Sequence, residues 1–112
     1  MRNDDLFIED MLQSVALVER YFSEMNEATF IEGDATDDLQ VHRDAIVRRL
    51  EIIGEAARHL TEEYTQARSA IPWQKIRDMR NLLIHEYFGI DYETVVQVIK
   101  RNLPPLKQAL LA

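Results

Sequence analysis

Arg77, Arg80, Asn81 and His85 stand close together in the stretch IPWQKIRDMRNLLIHEYFGID, Ile71 to Asp91. An imidazole that is neutral near pH 7 can take up or deliver a proton, and a guanidinium offers a fixed fork of donors that fits a phosphate better than lysine does. Arg77 and Arg80 are three apart, and neither has an Asp or Glu at i±3 or i±4. On one helix these like charges repel by a few tenths of a kcal/mol and call for an anion from outside. The set suggests a place where a phosphate is held and a proton is moved beside it.

The element that must position these residues is predicted as a single helix of about four turns. Pro72 suits its first turn, where a missing N–H costs nothing, and Gly89 suits the residue just past its end. Ile76, Met79 and Leu83 recur at spacings of three and four and face a core, with Trp73 and Tyr87 along the margins. Asn81 is four residues before His85, within reach to orient the imidazole and fix its tautomer. Arg80 and His85 would lie about 140° apart around a straight helix and roughly 7.5 Å apart along it. They can flank a phosphate and its ribose, or two copies of the helix can face each other across a two-fold axis. Spacing alone leaves another use open: His85 as a cation at the helix end, Arg80 in an ion pair with another helix, and Tyr87 as a core-edge tyrosine.

The string RNLLIHEY matches Rx4HxY, with Arg80, Asn81, His85 and Tyr87 at its defined places. With the flanks IPWQKI and YFGID, and RLEIIGEAARHL upstream, it resembles the HepT-like branch of the HEPN family over roughly Asp44 to the C-terminus. The first forty residues match only in kind. The resemblance implies an all-α protein, an antiparallel four- to five-helix bundle. It also implies the toxin of a toxin-antitoxin pair: an RNase whose partner, a minimal nucleotidyltransferase antitoxin, transfers AMP onto the tyrosine that here is Tyr87. A bulky, anionic AMP group there would occupy Arg80 and exclude an RNA phosphate.

With that resemblance, His85 becomes the group that takes the proton of a ribose 2′-hydroxyl or delivers one to a leaving 5′-oxygen. Arg80 becomes the group that offsets transition-state charge, with Asn81 and Arg77 in support. Such cleavage needs no metal or cofactor and leaves a 2′,3′-cyclic phosphate. No cluster of Asp and Glu at helical spacing converges on the motif, which disfavours two-metal chemistry. One chain supplies one such histidine for two proton transfers, so a homodimer is expected. Two other readings stand beside the RNase: a non-catalytic binding partner of a minimal nucleotidyltransferase, and a structural dimer without chemistry.

The remaining sequence reads as scaffold. A chain of 112 residues is expected to form one domain, residues 1–112, with a core that needs no staples. It has no cysteine, which removes disulfides, thiolate metal sites and a Cys nucleophile and fits a cytoplasmic location. The beginning, MRNDDLF, is acidic where a secretory signal would be basic, and no apolar run is long enough for a membrane span. The net charge of −7 argues against a nucleic-acid binder, but residues 1–40 hold 2 basic and 11 acidic residues while residues 41–87 hold 8 and 7. The surplus is at the N-terminal end, so a local cationic site is allowed, without tight nonspecific binding.

Asp4 or Asp5 is expected to cap a first helix with Ile8, Met11, Val15, Val18, Phe22 and Met25 on its apolar stripe. An acidic connector, Asn26 to Asp38, read as a loop with room for one helical turn, precedes a second long helix that should run from Asp37 or Asp38 to about Glu63. Its apolar arc is broad, and Gly54 would let another backbone approach, from a second subunit or from within the bundle. Arg49 falls inside this arc without a charge partner at i±3 or i±4, as a supporting site residue or as half of a buried ion pair. Arg48 and Arg58 are expected in ordinary pairs, Arg48 with Asp44 and Glu51, Arg58 with Glu55 and Glu62. His42 and His59 are expected at the surface. Asp91 should cap a last helix that Pro104 and Pro105 bend or restart.

Overall fold

A computed structural model of the chain describes residues 2–85 and 89–112, with backbone alone for Arg2, Asn3 and His85. The expected role of Tyr87 lies outside the described residues. The order is α1 (Arg2–Ser23), α2 (Glu27–Glu32), α3 (Asp37–Arg58), α4 (Glu62–Gln66), α5 (Trp73–Arg77), α6 (Met79–Leu83), β1 (Ile84–His85), β2 (Gly89–Ile90), α7 (Tyr92–Gln97), a π-helical turn (Val98–Asn102) and α8 (Leu103–Leu111). The fold is all-α apart from the two-residue ladder. Among the described residues no helix is long and apolar enough to cross a membrane.

The two long helices run antiparallel. Phe7, near the start of α1, stacks on His59 just past α3, while Glu24, just past α1, approaches His42 at the start of α3. Met11, Val15 and Val18 of α1 meet Ile46, Leu50 and Ile53 of α3, all essentially fully buried. Burying such a side chain stabilises by about 1.5–3 kcal/mol, so this seam is the spine of the domain. The α7–α8 arm returns antiparallel to α1: Lys100 in the π turn bonds Glu27, the first residue of α2, and Lys107 on α8 bonds Glu19 back within α1. Pro104 and Pro105, at the start of α8, cannot donate to the preceding turn; the ladder widens to a π turn just before them, as the expected bend required.

Several expected boundaries move, each for a local reason. Asp4 does not cap α1: it is buried and accepts from Thr61 N–H at 2.9 Å and Thr61 Oγ1 at 2.7 Å. The second long helix ends at Arg58 rather than near Glu63, because Thr61 caps a new helix by accepting from Tyr64 N–H. The acidic connector contains α2, capped by Asn26 and anchored by buried Phe30. Arg43 fixes it in place, donating to the carbonyls of Phe30, Ile31 and Gly33 with its guanidinium 4.1 Å from the centre of the Tyr92 ring. Buried and bonded in this way, Arg43 is a structural cation that the spacing argument passed over.

The largest correction concerns the motif. The expected four-turn helix is two five-residue helices with a break at Asp78, whose φ of −90° and ψ of 24° leave the helical region. The break lies where this segment crosses α3: a Cβ on Gly54 would stand 2.7 Å from Met79 Cβ and 2.8 Å from the Ile76 carbonyl. The backbone that Gly54 admits is therefore that of α5 and α6, and this flank of α3 serves the bundle itself. Helix α6 stops at Leu83, whose carbonyl accepts from Asp91 N–H at 2.8 Å, and Ile84 turns extended. His85 pairs with Gly89 and Ile84 with Ile90 in antiparallel register. Gly89 is not a helix cap; its φ of 80° opens β2, a conformation that glycine adopts without strain. Trp73 is in the core rather than at its margin, 7% exposed, with Nε1 donating to the carbonyls of Thr65 and Arg68.

Candidate active site

The crossing of α3 with α5 and α6 leaves a groove of about 610 Å³ whose floor is Gly54 and Met79. From α3 come Arg48, Glu51, Glu55 and Arg58, spaced three, four and three along one helix face, and from the other wall come Arg77 and Arg80. Four guanidinium groups against two carboxylates give a local excess of positive charge within an acidic chain. Arg77 and Arg80 thus line one groove, although the break at Asp78 places them on separate helices rather than on the single helix expected.

Ion pairing sorts the four arginines. Arg58 does not pair with Glu55 or Glu62; its Nη2 lies 3.3 Å from Asp78 Oδ1, across the crossing. Both side chains are about half exposed, so this pair adds at most about 1 kcal/mol. Its larger effect is to orient Asp78 at the break between α5 and α6, where Gln74 also donates to it. The expected pair of Arg48 with Asp44 and Glu51 does not form; Asp44 accepts instead from Gln40 at 2.7 Å. Among the described residues, Arg48, Arg77 and Arg80 make no ion pair with any carboxylate. Arg80 is exposed and Arg77 half-buried. Cations left unpaired beside a concave surface are what an anionic ligand requires.

Asn81 is exposed on α6, but the helical i,i+4 relation that would have set it beside His85 is lost, because His85 has left the helix for β1. The 140° and 7.5 Å estimate for Arg80 and His85 falls with it. What holds His85 is its backbone pairing with Gly89, two residues beyond fully buried Leu83. Arg49 is half-buried on α3, does not line the groove, and forms no ion pair among the described residues. The sequence reading missed Arg48 and Arg58 as groove residues by assigning them to their own helix. Their spacing around Gly54 was the available signal.

The other histidines lie elsewhere. His42 is half-buried; the Asp38 carbonyl at its Nδ1, with Glu24 and Asp38 nearby, raises its pKa above the usual 6.5. His59 is exposed and stacks on Phe7, as expected for a surface residue. Among the described residues no three His, Asp or Glu side chains gather where they could hold a metal ion.

Comparison with known proteins bears on this groove. The sequence model of the family described as "Ribonuclease HepT-like" matches residues 11–112. The chain is 35% identical over 112 residues to "Gamma-glutamylcyclotransferase and putative RNase MJ0434" of Methanocaldococcus jannaschii, covering 99% of this chain and 48% of that protein. It thus spans about half the length of that relative. It is 33% identical over 107 residues to "Putative RNase MJ1380" of the same organism, covering 96% of this chain and 93% of the relative. It is 32% identical over 101 residues to "Probable ribonuclease HepT" of Thermococcus cleftensis, covering 90% and 86%. No solved structure matches the chain.

Proposed function

The chain belongs to the HepT-like ribonuclease family, and from that premise we propose that it is a metal-independent endoribonuclease with Arg80 holding the scissile phosphate and His85 moving the proton. The observation that carries this reading is the groove, in which Arg80 and Arg77 stand together without a carboxylate partner among the described residues. The 2′-oxygen attacks phosphorus in line, its proton passes to a neutral imidazole, the P–O5′ bond breaks, and the 5′-oxygen is protonated as it leaves. The products are a 2′,3′-cyclic phosphate and a 5′-hydroxyl. Arg80, with Arg77 beside it, offsets the charge that builds on the non-bridging oxygens.

Each chain brings one motif histidine to two proton transfers, and a homodimer with motif segments facing each other supplies the second. The wider role is that of a cytoplasmic toxin whose partner, a minimal nucleotidyltransferase antitoxin, silences it by placing AMP on Tyr87. That role rests on the family resemblance of RNLLIHEY.

The test is incubation with total RNA in excess EDTA, with light scattering on the same sample. Cleavage persists under chelation, the mass is twice 13.1 kDa, and Arg80→Ala and His85→Ala each lose about a hundredfold or more in rate. Cleavage abolished by EDTA, or retained in both variants, overturns the mechanism. A monomer with full activity overturns the dimer.

A further inference from the structure

A second hollow of about 550 Å³ adjoins the groove on the other side of Arg77, which lines both. Its buried lining is mostly apolar, Leu60, Ile71 and Trp73, with Thr65 beside them. The Trp73 ring cannot turn away, because Nε1 is bonded to two carbonyls. Its rim is polar: Glu62 and Gln66, one turn apart on α4, and Ser69 after it. Gln66 Nε2 donates to Glu62 Oε1 at 2.9 Å, which orients the carboxylate and leaves the Gln66 carbonyl oxygen free to accept.

The two hollows differ in charge, and the difference says what each can take. The first has an excess of arginines and suits a phosphate. The second has a carboxylate on its rim and Arg77 only at its border, so a phosphate inside it would meet a like charge. A neutral, flat group with an apolar face and hydrogen-bond donors along its edge fits instead, and a nucleobase is such a group. A pocket of this volume lies within the ordinary range for small-ligand sites.

We infer that this second hollow receives the base of a nucleotide flanking the scissile phosphate, and that Glu62 selects guanine there. A carboxylate accepts best from two donors side by side, and guanine presents them as N1–H and the N2 amino group. Uracil offers one N–H between two carbonyl acceptors, which face the carboxylate unfavourably. Arg77, between the hollows, holds the backbone that joins the selected base to the reacting phosphate. The inference rests on the ribonuclease reading of the first groove.

The test compares two short oligoribonucleotides, one all uridine and one with a single central guanosine, together with the guanosine-to-inosine version, which lacks only the N2 amino group. Cleavage next to guanosine exceeds cleavage in the uridine oligonucleotide by about tenfold or more in kcat/KM. Inosine loses most of that gain, and in Glu62→Gln the ratio falls to about one. Equal cleavage of all three by the wild type overturns the subsite while leaving the ribonuclease reading intact. If none is cleaved, the ribonuclease reading falls and binding of 2′-O-methyl versions decides the subsite. A guanosine preference that Glu62→Gln removes supports it, and equal or absent binding overturns it.

Discussion

At the scale of single residues, the candidate site is defined by which cations lack a carboxylate partner among the described residues. Arg43 is buried and bonded to three carbonyls, and Arg58 is held by Asp78, so both serve structure first. Arg80 is exposed on the groove wall and available to a phosphate. The sequence made Arg80 legible by its motif and its lack of a helical carboxylate. The same criterion also selects Arg43, whose neighbours at i±3 and i±4 are Leu39, Gln40, Ile46 and Val47. Spacing cannot tell the two apart: one is fixed by α2 and Tyr92, elements remote in sequence. For Tyr87, the case for its modification stands on the RNLLIHEY resemblance. Tyr87→Phe is expected to keep full cleavage, since no proton is asked of the hydroxyl, yet to escape inactivation by the cognate nucleotidyltransferase and ATP. An unmodified Tyr87 in the wild type by mass spectrometry after that incubation, or equal inactivation of the variant, would contradict this.

At the scale of elements, periodicity predicted what local burial governs. Helices α1 and α3 follow from stripes that are buried where expected, and Asp91 caps α7 as read, accepting from Glu93 and Thr94 N–H. The break at Asp78 and the turn to extended chain at Ile84 were not legible. Residues 73–85 contain no glycine or proline to interrupt a helix. The interruption comes from the crossing at Gly54 and from Asp91 N–H taking the Leu83 carbonyl, both contacts with distant parts of the chain. Gly54→Ala tests this crossing. Alanine favours the helix by about 1 kcal/mol, but its Cβ must displace Met79 and the Ile76 carbonyl, an overpacking cost of about 1–3 kcal/mol. The expected outcome is a lower urea midpoint, together with a loss of cleavage greater than the unfolded fraction explains, because α6 carries Arg80. An unchanged midpoint with wild-type cleavage would show that the contact does not position the site.

At the scale of the whole molecule, charge and architecture are divided. The acidic first forty residues form α1, α2 and the start of α3, where Glu19, Glu24 and Glu27 meet Lys107, His42 and Lys100. The arginine groove occupies the far part of α3 and its crossing, so an acidic protein can still present a local cationic site. Asp4 couples the two parts by joining the start of α1 to Thr61. Burial pushes its carboxyl upward, but the two hydrogen bonds from Thr61 and the positive charge of Arg68 together outweigh this and hold the pKa below 3.8. A depressed folded-state pKa contributes stability that is present above 3.8 and is lost as pH falls through the lower folded value. Asp4→Asn is therefore expected to lower stability at pH 7 by about 1–3 kcal/mol, and the gap to wild type should narrow below pH 3.8. Urea midpoints across that range check this, and a gap independent of pH would contradict it.

The central claim, that a phosphate held at Arg80 is attacked by the neighbouring 2′-oxygen, is tested most directly with a DNA oligonucleotide containing one ribonucleotide, incubated in EDTA. The account predicts a single cut, immediately 3′ of the ribose, with a 2′,3′-cyclic phosphate on one fragment and a 5′-hydroxyl on the other. It also predicts no cut when that ribose is 2′-O-methylated. Cleavage at deoxyribonucleotides, or a 5′-phosphate on the product, would contradict it.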